Sequence, residues 1–238
     1  MRLQTFLSHS GSCSRRKALD LVKQGSVAVN NQMVCEPSFE VNPEKDNVFL
    51  EGIKIEVKRQ QYLMLNKPKG VVTTKEDSHA KKTVMDLLPT EFKHLNPVGR
   101  LDKDTEGLLL LTNNGDLTFR LTHPRFNIDK TYFVEVRGKF KDEDKLRLMK
   151  GIIWEGRRSA PCKIKNVLVL PDKSQFEITI HEGKKRQIRL MMATLGYQVL
   201  YLKRVSEGPL SLQNLALGKW RHLTNEEIAN LKFSVGLK

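Results

Sequence analysis

Val98–Gly115, VGRLDKDTEGLLLLTNNG, sets a polar loop directly in front of an apolar run. Leu108 to Thr112 reads as a buried strand, Asn114-Gly115 as the turn that ends it, and Asp116 as the cap of a short helix behind the turn. Ahead of the strand the loop delivers Arg100, Leu101 and Asp102. A carboxylate leaving a rigid strand in this way can project into a cleft, and an arginine beside it suits a phosphate or a displaced base. Taken alone, an aspartate in a loop before a strand is most often a turn or cap residue, so these residues do not by themselves establish chemistry.

Outward from this stretch, the C-terminal three quarters of the chain is rich in strand patterns. Tyr62–Leu65 and Val71–Thr74 flank the turn Lys67-Pro68-Lys69-Gly70. Lys130–Arg137 alternates, with Tyr132, Val134 and Val136 on one face. Lys163–Leu170 and Phe176–His181 form a hairpin pattern around Pro171-Asp172. Asp142–Met149 and Lys184–Leu195 read as helices, Tyr197–Val205 as a strand, and Thr224 with Glu227 as the capping box of a final helix. Strands outnumber helices and the short connections suit antiparallel pairing, so the fold class is α+β. Residues 1–58 read as a separate small module. Leu3, Phe6 and Leu7 mark a helix stopped by Gly11, and Ser14 caps a second helix, Arg15–Gln24. A hairpin through Asn30-Asn31, with Met33-Val34 as its second strand, and another through Glu51-Gly52 follow. The boundaries are 1–58 for the small domain, a linker over 59–62 that overlaps the polar stretch Lys58–Gln61, and 63–238 for the larger domain.

Forty-one Lys plus Arg against 27 Asp plus Glu give a net charge of +14, which points to a polyanionic partner. The excess is uneven: residues 1–58 carry +1 and residues 59–238 carry +13. In the small domain the cations Arg15, Arg16 and Lys17 cluster at the start of one helix. Met1–Gly11 is too polar for a signal peptide, and no stretch approaches the roughly 20 apolar residues of a membrane span. Cys13, Cys35 and Cys162 are odd in number and scattered, which fits a reducing cytoplasm. The histidines show no paired ligand spacing, so no metal site is expected.

Four segments in order change the weight of Asp102. GRLDKDTEGLLLLTNNG resembles the signature of the ribosomal small-subunit/large-subunit pseudouridine synthase family, G-R-L-D-x-x-T-x-G-L-L-L-x-T-N-D-G, departing at Asn114. LNKPKG (65–70), KTYFVEV (130–136) and EGKKRQIRLM (182–191) resemble further segments of the same family. SRRKA (14–18) and GSVAVN (25–30) resemble the alpha-L RNA-binding motif that often precedes this catalytic domain. The resemblance covers essentially the whole chain. It implies an alpha-L module followed by a mixed, mainly antiparallel sheet domain with flanking helices and a central cleft. It departs at Leu190, where the family usually has a second basic residue, and at Ser26 and Asn30-Asn31, which implies a weaker RNA grip by the small domain.

The resemblance implies isomerisation of a uridine in ribosomal RNA, in the 23S RNA ahead of the 16S, without cofactor or metal. The RNA could sit within an assembling subunit, and the enzyme would be a cytoplasmic monomer. Asp102 would be the catalytic carboxylate, Tyr132 would stack on the everted base, and Arg189 would pair with Asp102 and keep it anionic. Arg100 would fill the gap left in the RNA. Lys184, Lys185 and Arg186 are read as phosphate contacts, and Arg15, Arg16 and Lys17 as the small domain's RNA face. The alternative is a non-catalytic ribosomal-RNA-binding or assembly factor on the same fold. A nuclease would show paired histidines or a carboxylate metal cluster, and a DNA-binding protein a helix-turn-helix or zinc-finger pattern.

Overall fold

Local capping signals set the first elements. α1 (Leu3–Ser10) stops at Gly11, which adopts φ 79°, and Ser14 caps α2 (Arg15–Lys23) by accepting the Lys17 N–H at 3.2 Å. Asn30 and Asn31, at φ 51° and 67°, fold β1 (Val27–Val29) back into β2 (Gln32–Met33). That turn fixes Val29 opposite Gln32, so the second strand begins one residue before the apolar pair Met33-Val34. Glu51 and Gly52 do the same between β3 (Val48–Leu50) and β4 (Ile53–Ile55). The four strands form an antiparallel sheet in the order β2-β1-β3-β4. Its core is Leu3, Phe6, Leu7, Ala18, Val22 and the inward valines of the strands. Ser14→Ala should lower the stability of this unit by about 1 kcal/mol in urea unfolding, the usual worth of an N-cap.

This computed structural model describes residues 1–57, 59–76 and 81–237. Lys58 of the expected linker and the side chain of Arg15 lie outside what is described. Two compact units emerge, Met1–Gln61 with Asn113–Gly115, and Tyr62–Thr112 with Asp116–Lys238.

The larger unit is built on a nine-stranded sheet. Its members are β5 (Tyr62–Lys67), β6 (Asn96–Pro97), β7 (Glu106–Thr112), β8 (Lys130–Arg137), β11 (Lys163–Val169), β12 (Lys173–Ile180), β13 (Val199–Glu207), β14 (Leu210–Ser211) and β15 (Trp220–His222). β9 (Ile153–Trp154) and β10 (Arg157–Arg158) form a separate hairpin. The order is β11-β12-β8-β13-β7-β5-β15, with β14 added to β13 and β6 to β7. All pairings are antiparallel except β13 with β7. This is the mixed, mainly antiparallel sheet the sequence implies.

Leu108–Leu111 is apolar without alternation because β7 is covered on both faces. Leu109 and Leu111 enter one core, with Val134, Phe176, Ile188 and Met191. Leu108 and Leu110 enter a second core, roofed by α3 (Gly115–Thr122) and α6 (Asn225–Ser234) through Leu117, Leu121 and Leu231. α4 (Asp142–Met149) places Leu148, and α5 (Gln187–Thr194) places Ile188, Met191 and Met192, in the first core. Gly107 is required where β7 meets β13: at φ 108°, a Cβ there would lie 2.2 Å from the Arg204 carbonyl oxygen.

Three expectations are corrected. Val71–Thr74 makes no strand; Val72 forms one isolated bridge to Thr83, because β5 already has β7 and β15 on its two edges. The helix expected from Lys184 begins at Gln187, since Arg186 sits at φ 53° outside helical geometry. Asp116 lies within the first turn of α3 rather than capping it. Among the described residues no helix is long and apolar enough to cross a membrane.

Candidate active site

The loop carrying Asp102 is held by its main chain. Lys67, at the end of β5 and fully buried, points its ammonium into the loop and donates to the carbonyls of Asp102 (3.1 Å), Thr105 (2.9 Å), Pro68 (3.2 Å) and Lys103 (3.5 Å). Thr73 donates to the Leu101 carbonyl at 2.8 Å and accepts the Leu101 N–H at 3.3 Å. The Gly70 N–H reaches the Lys103 carbonyl at 2.8 Å, and the Thr105 N–H the Asp102 carbonyl at 3.0 Å. The residues of LNKPKG therefore act as a clamp on the loop, which accounts for the two segments occurring together.

Burial lowers the Lys67 ammonium from the ordinary 10.5 to about 8, against the opposing pull of Asp102, Asp104 and Glu106. The folded state then holds fewer protons than the unfolded state between about 8 and 10.5. Stability contributed by this group is present above 10.5 and is lost as pH falls through about 8. Urea unfolding from pH 7 to 10 should show the difference between parent and Lys67→Met moving in the parent's favour as pH rises. A difference that does not vary with pH would contradict this.

Asp102 faces a cavity of about 450 Å³. Its floor is the shared face of β8 and β13, where cross-strand register sets Arg204 opposite Tyr132 and Glu207 opposite Lys130. The loop at Gly99–Asp102 and Thr105 forms one wall, residues 181–188 another, and the segment from Leu121 to Pro124 a third. Thr105 Oγ1 is buried here and has no hydrogen-bond partner among the described residues.

The floor carries a buried polar chain. Arg204 and Glu207 are 2% and 1% exposed, and Arg204 Nη2 lies 3.2 Å from Glu207 Oε2. Arg204 Nε donates to the Leu108 carbonyl at 2.8 Å, and its guanidinium also engages the Tyr132 hydroxyl. Lys130 Nζ lies 4.0 Å from Glu207 on the other side. Burial works against the Arg204 charge, but Glu207 and Tyr132 outweigh it and hold its pKa above the ordinary value. Burial raises the Tyr132 hydroxyl and lowers the Lys130 ammonium, so Tyr132 stays a neutral phenol at physiological pH.

Asp102 and Tyr132 are thus brought to one cavity, together with Arg100, Lys184, Lys185 and Arg186 around it. Arg100, Lys185 and Arg186 are exposed. Lys184 is more tied than expected for a phosphate contact: its ammonium pairs with Glu182 at 2.9 Å, donates to the Arg158 carbonyl and lies 5.1 Å from the Trp154 ring centroid. Arg189 does not form the expected ion pair. Its guanidinium donates to the carbonyls of Asp104 (2.9 Å) and Val199 (3.5 Å), holding the loop two residues beyond Asp102, and it meets Asp102 through their long-range attraction. Arg16 and Lys17 lie exposed on α2 in the other unit, whose first residue is Arg15.

Arg204, Glu207 and the clamp role of Lys67 were not foreseen. One signal was available for Arg204. It stands in phase with Leu202 on an alternating strand, where an inward-facing charge needs a buried partner.

The sequence pattern of the family described as RNA pseudouridylate synthase matches residues 61–194 of this chain, over half its length. The chain belongs to that family. The S4 domain pattern matches residues 1–48. Among similar proteins, the Ribosomal large subunit pseudouridine synthase B of Bacillus subtilis (strain 168) is 40% identical over 234 residues, covering 97% of this chain and 95% of the relative. An Uncharacterized RNA pseudouridine synthase of Aquifex aeolicus (strain VF5) is 39% identical over 239 residues, covering 100% and 96%. A solved structure described as a crystal structure of pseudouridylate synthase aligns over 97% of this chain and 99% of its own, with a TM-score of 0.69 and 30% identity.

As a pseudouridine synthase the protein is an isomerase. The reaction breaks the bond between the ribose C1′ and uracil N1, forms one between C1′ and C5, moves a proton onto N1 and releases the C5 hydrogen. A site for it must receive an everted nucleotide, hold the detached uracil and present a group to the sugar. The cavity offers an aromatic side chain on its floor, a carboxylate on its wall and a cationic rim.

Proposed function

We propose that this chain isomerises a uridine of ribosomal RNA, in the 23S RNA of the large subunit, with Asp102 as the essential carboxylate. The observation that carries the reading is the convergence of Asp102, Tyr132 and the Arg204–Glu207 pair on one cavity at the end of β7. Tyr132 stacks on the everted uracil and keeps it from solvent while it turns. Arg204 is a positioning residue that fixes the Tyr132 hydroxyl, and Arg189 positions Asp102 through the loop main chain. Arg100 enters the gap left in the RNA, while Lys185, Arg186 and Lys184 meet the backbone. The large-subunit assignment is supported by the similarity to the Bacillus subtilis Ribosomal large subunit pseudouridine synthase B.

Residues 63–238 carry the chemistry and nearly all of the net positive charge, and residues 1–58 add a grip on the RNA through Arg15, Arg16 and Lys17, which the S4 match supports. The isomerisation conserves every element, so it calls for neither cofactor nor metal. All the cavity's lining residues come from one of the two units, and the scattered cysteines suit the cytoplasm.

Tritium release from 23S and 16S transcripts made with carbon-5-labelled uridine tests the substrate assignment. One equivalent released from the 23S transcript and none from the 16S is expected; the reverse would move the substrate to the small subunit.

A further inference from the structure

The third wall of the cavity continues into an aromatic and cationic cluster that the proposed reaction leaves unused. Phe119 is 45% exposed, on the side of α3 away from Leu117 and Leu121, which face the core. Its ring centroid lies 5.0 Å from that of His123 and 5.9 Å from that of Phe126. The Arg125 guanidinium lies 4.9 Å from the Phe119 centroid and 4.6 Å from that of Phe126. His123 and Pro124 line the Asp102 cavity, so the cluster begins at its mouth.

The cluster is also preorganised. Pro124 opens the single turn Pro124–Phe126, Asn127 closes it at φ 49°, and the Arg125 N–H donates to His123 Nδ1 at 3.3 Å. Arg120, which backs Phe126, is fixed by its bond to the Val235 carbonyl at 2.7 Å. Arg125 is exposed, and among the described residues no carboxylate forms an ion pair with it. An exposed ring beside a half-buried one, with a guanidinium over both, gives a planar face for a base and a charge for the phosphate that accompanies it, the combination used on single-stranded nucleic acid.

We propose that Phe119, His123, Arg125 and Phe126 form a nucleobase-stacking subsite for a nucleotide next to the target uridine. The proposal rests on the reading of the Asp102 cavity as the uridine pocket. A chain that everts one base leaves its neighbours unstacked, and a platform at the pocket mouth gives one of them a new partner. Stacking tolerates any base, so the subsite adds affinity rather than sequence choice.

The test uses the 23S and 16S transcripts, with KM and kcat from tritium release and Kd from filter binding. Phe119→Ala should raise KM and Kd by about 5- to 150-fold and leave kcat within about twofold, since the ring touches no reacting atom. Phe119→Trp should restore tight binding and Phe119→Leu should not, because stacking needs a π face rather than apolar volume. Unchanged affinity in Phe119→Ala, or equal affinity of the Leu and Trp variants, would overturn the proposal. Were the parent to release no tritium, the uridine reading would fail, and the same variants' Kd values would still decide the subsite.

Discussion

Asp102→Asn should leave tritium release about 10⁴-fold or more below the parent, while RNA affinity stays within about threefold. The amide keeps the shape of the carboxylate but can neither attack the sugar nor take up a proton, and losses of this size follow removal of a group that acts on the reacting atoms. The fold should not suffer. The bonds that hold the loop run through main-chain carbonyls to Lys67, Thr73 and Arg189 and do not involve the Asp102 side chain. Single-turnover release from labelled transcript, with filter binding in parallel, separates the two quantities. Release within tenfold of the parent would remove Asp102 from the chemistry.

Arg204→Met should destabilise the larger unit by about 3–5 kcal/mol, because it leaves Glu207 as a buried carboxylate whose nearest remaining cation is Lys130 at 4.0 Å. Arg204→Met with Glu207→Leu should recover most of the loss, since an apolar pair of similar volume replaces two desolvated charges. Tyr132 would still lose its fixed hydroxyl partner in the double variant. Stability should therefore return while kcat remains depressed, which distinguishes a positioning role from a merely structural one. Urea unfolding of the four proteins of the cycle measures the first effect and tritium release the second. Simple additivity of the two single losses would show that the pair is not coupled.

What could be read from the sequence was what depends on neighbours along the chain. Gly11, Ser14, Asn30-Asn31 and the Thr224–Glu227 box specify caps and turns through their own backbone and side-chain bonds, and all are found as expected. The alternation of Tyr132, Val134 and Val136 likewise fixed the inward face of β8. The misses depend on which strands meet. Val71–Thr74 has strand-forming residues but no open edge beside it. Trp220–His222 is too short to show a period, yet it is the segment that takes the β5 edge, which leaves none there for Val71–Thr74. Arg204 reaches Tyr132 only because β13 lies between β8 and β7, a long-range adjacency that also makes Gly107 indispensable. Arg189 was placed beside Asp102 by resemblance of motifs. Its register on α5 instead directs the guanidinium to the Asp104 carbonyl.

The most direct test is to map pseudouridine in 23S and 16S RNA from cells that lack this gene and carry either the parent chain or Asp102→Asn. The expected result is one 23S position that is pseudouridine with the parent and uridine with the variant. A complete pseudouridine map in the cells carrying only Asp102→Asn would contradict the account.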